Sequence, residues 1–386
     1  MNEIQLNAAG PLRRYDFDAL RVLATLLIVY YHSAKLFDAN TWIIGSDQTS
    51  RIAGAFICIM LQWIMPLFFL LAGANMRFAL EHRSSGAYLR ERARRLLIPF
   101  FFGILLIVPP QVYIERISAW ACRRSAGNFA GSFFQFYPHF FQSCYPQGNF
   151  TWNHLWFIIY LFFYSLMILP LALYLSHNPS GQRLARNLAG FFSFGRRIFL
   201  LALPIIVIEV GLRRIFPDSH MLYNDWTNHA HFGTVILYGM LLASDARLTE
   251  AIARNRWLGL LTGIALTFGF LAMGRGDLNP YGADSLRLLL WSAGEWCWLI
   301  ALLGYASVYL NRPSAVLRHG SQIAYTFYIA HQTVIVVIAY FILRWNKSPA
   351  IQFLTISTLA LIVTVLLCEL LRKTNITRFM FGITNC

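Results

Sequence analysis

Two histidines and two acids interrupt apolar runs that otherwise hold almost no ionisable group, and they mark where chemistry could be done. His32 closes the stretch Asp18-Ala-Leu-Arg21-Val-Leu-Ala-Thr-Leu-Leu-Ile-Val-Tyr-Tyr-His32. Arg21 stands eleven residues earlier; on a helix the two lie about 16 Å apart along the axis and on nearly the same face. An ionisable group at membrane depth is costly, so function is the default explanation. A neutral imidazole can take a proton from a hydroxyl as general base, and it can also act as a nucleophile. The plainer alternatives are a topological anchor for Arg21 and an interhelical polar contact for His32. His331 closes Tyr325-Thr-Phe-Tyr328-Ile-Ala-His331. Tyr328 shares its helix face, so one orients the other or the pair ties helices together. Glu209 and Glu295 fall near the middle of their runs. With His32 and His331 they would form one layer, and either acid could orient an imidazole.

A second chemistry is written in arginine. Arg90-Glu-Arg92-Ala-Arg94-Arg95 runs straight into an apolar stretch, and spacings of three and four put Arg92 with Arg95, or Arg90 with Arg94, on one face. Forked guanidinium groups suit the phosphates of a nucleotide-bearing donor such as coenzyme A; lipid headgroup contact is the other reading. His154 and Trp156 open a later run at its outer end, where an interfacial belt or an acceptor contact would serve. Arg213 and Arg214 close another run on the side that the charge rule disfavours, which invites an anionic acyl group or glycan.

The elements that position these groups are membrane helices. Hydrophobic residues make up 57% and charged residues 13% of the 386-residue chain, about half the charge of a soluble domain. The net charge of +15 would fit nucleic acid, but the basic residues sit in short clusters between apolar runs, so nucleic acid is excluded. About ten runs can be marked, near 20–37, 53–75, 96–115, 154–176, 198–216, 230–246, 257–274, 285–310, 322–343 and 349–371. They are long enough to span as helices. Lys and Arg place the N-terminus inside, and the even count places the C-terminus there too. The first run lacks a cleavage site, so it is not a removable signal. Ala72-Gly73 allows a close helix approach. The loop from Arg116 to Asn153 holds Phe133–Phe141, too short to span and suited to an interfacial or re-entrant element. Six cysteines show no metal spacing; Cys122 and Cys144 share that loop, and a disulfide or two thiols are both open.

The Arg-x10-His pattern preceded by Asp-x-Leu resembles the acyltransferase-3 family of multi-pass membrane proteins. The resemblance extends to Arg92 and Arg95, matching an Arg-x-x-Arg pair, and to Tyr-x-x-Tyr-Ile-x-His ending at His331. Where family members often carry Ser-Gly, this chain has Ala72-Gly73. His-Leu-Trp-Phe at His154 and the Arg213-Arg214 pair are similar to the glucan biosynthesis protein C branch, which succinylates periplasmic glucans. The resemblance implies an all-α integral membrane bundle with a cytoplasmic segment 1–17, a transmembrane acyltransferase domain 18–372 and a cytoplasmic tail 373–386. It implies transfer of an acetyl or succinyl group from cytoplasmic acyl-coenzyme A to a hydroxyl of an extracytoplasmic glycan or glycolipid, in the inner membrane. No permanent cofactor or metal is expected; the partners are the bilayer, the acyl-coenzyme A donor and the glycan acceptor. His32, Arg21 and His331 would be catalytic, Arg92 and Arg95 would hold the donor, and His154, Trp156, Arg213, Arg214, Glu295 and Tyr328 would meet the acceptor side. The rival is a transporter or flippase using the same intramembrane groups.

Overall fold

The computed structural model describes residues 14–39, 42–118, 129–145, 147–274 and 284–383. It is all-helical: among the described residues there is no strand, only an isolated bridge between Cys144 and Phe150. In chain order the helices are α1 (Tyr15–Lys35), α2 (Arg51–His82), α3 (Ser85–Arg92), α4 (Ile98–Phe102), α5 (Val108–Ile117), α6 (Phe133–His139), α7 (Trp156–Met167) and α8 (Leu169–His177). They continue as α9 (Pro179–Ser193), α10 (Ala202–Leu212), α11 (Trp226–Ser244), α12 (Ala246–Met273), α13 (Ser285–Tyr309), α14 (Ala315–Ile342), α15 (Pro349–Leu371) and α16 (Asn375–Met380).

Among the described residues, six helical stretches are long and apolar enough to cross a membrane: α2, the α3–α5 stretch Ser85–Ile117, α12, α13, α14 and α15. The pair formed by Asn153–Met167 and Leu169–His177, bent by 53°, makes a seventh if it counts as one span. The first, fifth and sixth apolar runs fall in α1, α10 and α11. α1 carries Asp18, Arg21 and Lys35, and α10 has only 11 residues, preceded by the tighter turn Arg197–Leu201.

α2 is the central staff. Its 32 residues span about 48 Å, longer than a hydrocarbon core of about 30 Å. It packs against α1, α11 and α13. The small residue anticipated at the end of its apolar run explains how close α11 comes. A Cβ on Gly73 would collide with the carbonyl of Ile236, and one on Gly239 would collide with the carbonyl of Leu70. Two glycines therefore face each other's backbones, the arrangement by which membrane helices gain packing without a hydrophobic driving force.

The third span is irregular. Wide π-helical turns at Ala93–Leu97 and Gly103–Ile107 flank α4, and such turns concentrate at functional sites. Beyond α5, the loop element expected at Phe133–Phe141 is α6. Ser132 and Gln135 cap it reciprocally, Phe136 and Phe140 are buried, and Phe134 is exposed. Arg116 fastens the same loop by donating to the Asn149 side chain at 2.8 Å and the Gly148 carbonyl at 2.8 Å.

Candidate active site

Three histidines from distant parts of the chain converge. α1 supplies His32, α14 supplies His331, and a single turn ahead of α7 (Asn153–Leu155) supplies His154. The His331 ring lies 5.1 Å from that of His32 and 5.3 Å from that of His154, centroid to centroid. Their protons follow from their partners. His331 Nδ1 is 2.6 Å from the Tyr328 carbonyl and His154 Nε2 is 2.9 Å from the Ile329 carbonyl. A carbonyl only accepts, so both nitrogens carry hydrogen. The remaining nitrogens, His331 Nε2 and His154 Nδ1, are buried without a hydrogen-bond partner, as is His32 Nδ1. The Tyr328 hydroxyl donates to the His154 carbonyl, which locks the turn before α7 onto α14.

A second polar cluster is built on α10, α11 and α13. His231 bridges two acids, with Nδ1 2.6 Å from Glu209 and Nε2 2.8 Å from Glu295. Arg213 grips Glu209 with two bonds of 2.8 and 2.7 Å and donates to Asn228 at 2.7 Å. Asn228 donates to Asp225 at 2.9 Å, which also accepts from Tyr160 at 2.5 Å. All these side chains are buried. Charges so deep persist only when paired and hydrogen-bonded, and here each acid has at least one cationic or hydroxyl neighbour.

Both clusters border one cavity of about 460 Å³. His32, His154 and Tyr328 line one part of it; Glu209, Arg213, His231 and Glu295 line another. Trp42, Trp152, Trp156 and Trp291 supply aromatic walls. Residues 151–153 and 219–221, from two further segments, also line it. Two of these residues hold left-handed backbone, Asn153 at φ 42° and His220 at φ 52°. Asn153 is kept there by Gln111, which accepts from its side-chain amide at 3.0 Å. Trp152 holds His220 by donating to its carbonyl at 3.2 Å. Strained residues of this kind cluster where a surface must meet a ligand.

A separate groove of about 620 Å³ lies at the other end of the third span, lined by Arg90, Glu91, Arg94 and Arg95 from α3 and the first π turn, and by Arg378 from α16. Arg92 does not line it. Its guanidinium turns onto the buried Tyr88, donating to the hydroxyl at 3.2 Å. The wide turn beginning at Ala93 alters the angular step, so Arg92 and Arg95 part company while Arg90 and Arg94 share the groove.

Of the residues singled out by sequence, the fold brings His32, His154, Trp156, Arg213, Glu295 and Tyr328 to the cavity. His331 stands behind it, fully buried between His32 and His154. Arg21 bonds Asp18 at 3.0 Å at the far end of α1 and does not reach the cavity. Arg214 is exposed, away from its neighbour's network. Glu209 and Glu295 do orient an imidazole, that of His231, which sequence reasoning passed over. His231 could have been found by the rule that found His32, because it too is ionisable within an apolar run. Gln111, 0% exposed and bonded to Asn153, Gln332 and Thr333, was also missed. Among the described residues no group of His, Cys, Asp and Glu is placed to hold a metal ion. Cys122 lies outside the described residues, and with it the question of a bridge to Cys144.

The family model of the acyltransferase-3 type, described as an acyltransferase domain, matches residues 14–372. No curated protein and no solved structure matches the chain.

Proposed function

Because the chain belongs to the acyltransferase-3 family and is a multi-pass membrane acyltransferase, we propose that it moves an acyl group from cytoplasmic acyl-coenzyme A to a hydroxyl of an extracytoplasmic glycan or glycolipid. The observation that carries this reading is the cavity wall formed by His32 with His331 directly behind it. His331 Nδ1–H is committed to the Tyr328 carbonyl, leaving Nε2 as an acceptor. With rings 5.1 Å apart, a small rotation lets His32 donate from Nδ1 to that nitrogen at hydrogen-bond distance. His32 then presents the lone pair of Nε2 to the cavity. That tautomer is the one a general base needs, and the orienting partner stabilises the imidazolium once the acceptor proton has transferred. The acceptor oxygen attacks the thioester carbonyl, the carbon–sulfur bond breaks, and the proton held by His32 goes to the leaving thiolate. His331 is in this scheme a positioning residue, and His154 supports it from the other side.

The aromatic walls and the fixed amides of Asn153 and Gln332 favour a sugar, whose apolar face stacks and whose hydroxyls need paired donors and acceptors. The arginine groove would hold the phosphates of the donor at the cytoplasmic end, with Arg95 in contact and Arg92 bracing α3 through Tyr88. We read ten spans with both termini cytoplasmic, in the inner membrane, and an acetyl or succinyl group as cargo, closest to the glucan-succinylating branch. The transporter reading is not favoured by the family match. The test is thioester turnover by purified protein in vesicles without a membrane potential. Coenzyme A release that depends on acceptor supplied from the opposite face is the expected result. Substrate movement without thioester cleavage would refute the proposal.

A further inference from the structure

The family match stops at residue 372, yet the chain beyond it forms one wall of the arginine groove. Sequence alone makes 373–386 a tail; packing makes 375–383 part of the bundle. Thr374 caps α16 by accepting from the Thr377 amide at 3.2 Å, and the Thr377 hydroxyl donates to the Leu371 carbonyl at 2.6 Å, fixing α16 to the end of α15. Phe381 is buried, and Met380 and Ile383 pack on the main core. Gly382, at φ 66°, ends the helix. The Ile383 amide donates to the Arg378 carbonyl at 2.9 Å, and the Gly382 amide to the Phe379 carbonyl at 3.4 Å, the paired closure that a glycine in left-handed conformation permits.

That turn is seated on the third span. A Cβ at Gly382 would come within 2.9 Å of Pro99 Cγ, 3.2 Å of Tyr325 Cε1 and 3.3 Å of the Arg95 carbonyl oxygen. The last contact lies within the first π turn, and Tyr325 is one turn along α14 from Tyr328. Arg378 is thereby held across the groove from Arg90, Arg94 and Arg95. Glu91 is the one acid on the lining, and it pairs with Arg83 and, at 3.2 Å, with Arg95. The groove is therefore net positive. Its size falls within the range of about 300–1,000 Å³ usual for small-molecule sites.

We infer that residues 375–383 complete the donor site: Arg378 binds a phosphate of the donor nucleotide, and the Gly382 turn holds it in position. This rests on the groove being the donor site, as proposed above, and adds a ligand from outside the matched domain. Phosphate chemistry is shared by coenzyme A and by anionic lipid headgroups, so the experiment separates them. Full-length protein is reconstituted in nanodiscs with and without anionic lipid, and coenzyme A affinity is measured for Arg95→Ala, Arg378→Ala, Arg378→Lys and Gly382→Ala, with thermal unfolding as control. Loss of one charge-assisted contact corresponds to about ten- to a hundredfold weaker binding. The expected result is that loss for Arg378→Ala in both lipid backgrounds, partial recovery in Arg378→Lys because the charge remains without the fork, and weakening in Gly382→Ala. Loss in Arg95→Ala with native affinity in Arg378→Ala would overturn the inference and leave the donor reading standing. Native coenzyme A affinity in both, with reduced retention of anionic lipid or without it, would overturn the two together.

Discussion

The arrangement of His32 and His331 makes a quantitative claim about how their loss combines. As the proposed general base, His32 would contribute about a hundred- to ten-thousandfold, which is about 2.7–5.4 kcal/mol of transition-state stabilisation. In the proposed scheme His331 acts only through His32. Its share is one hydrogen bond to an imidazole that becomes charged, about 1.5–3 kcal/mol or roughly ten- to a hundredfold. Once His32 is gone that bond has no partner, so the double variant His32→Ala/His331→Ala should be no slower than His32→Ala alone. The coupling energy of the cycle then equals the whole effect of His331→Ala. Truncating a fully buried ring next to Phe327 also opens a cavity, so His331→Gln, which fills more of the space, is measured beside it. The assay is single-turnover transfer by purified variants in lipid, with thermal unfolding run on each. Tyr328 lies within α14, so its carbonyl keeps its helical bond when His331 is replaced. Additive losses in the double variant, or a native rate in a folded His32→Ala protein, would refute the positioning scheme.

The remaining expectations concern the frame. Arg213→Ala leaves Glu209 buried with half its partners and should destabilise by about 3–5 kcal/mol, whereas the exposed Arg214→Ala should stay within about 0.5 kcal/mol; denaturation in detergent compares them. Gly239→Val should abolish the folded peak in size-exclusion chromatography, because its side chain would enter the backbone of α2 at Leu70, and a wild-type elution profile would contradict the close crossing. Cysteines placed at Ser84 and Ser193 should resist an impermeant thiol reagent in intact cells while one at Ser132 reacts; the reverse pattern would invert the proposed orientation.

What the sequence disclosed and what it hid divide along physical lines. His32 and His331 stood out because an ionisable group inside an apolar run violates the cost of burial, a local fact. Glu209 and Glu295 stood out on the same ground; His231 was open to the same rule and was passed over, and its pairing with acids 22 and 64 residues away is set by tertiary packing alone. Arg213 reaches the cavity, and its bonds to Glu209, four residues earlier, follow the spacing at which a helix pairs its own charges. Arg21 and His32 share a face as the period demanded, yet sharing a face does not bring them to one site. His154, read as an outer-surface group, is drawn inward by the Ile329 carbonyl and the Tyr328 hydroxyl, contacts that no local pattern encodes. Seven of the ten runs match the six spanning stretches and the bent pair, legible as apolar length; those in α1, α10 and α11 do not. Arg92 and Arg95 were misphased because a helical wheel assumes an even step, and the third span does not keep one.

That uneven step has an evolutionary reading. A π turn is an α-helix that has accepted one additional residue, and the wider turn absorbs the roughly 100° that the residue would otherwise add. With two of them in one span, at Ala93–Leu97 and Gly103–Ile107, the arginines stand roughly half a revolution from where an even wheel counted from Val108 would put them. The relation between the two ends of this helix is thus held by the wide turns against a change of chain length, independently of which side chains occupy it. A chain that lost one residue together with one wide turn would keep both ends of the span facing the neighbours they face here. A single-residue gap in this span is therefore a change that the fold can absorb, where the same gap in an even helix would rotate everything beyond it.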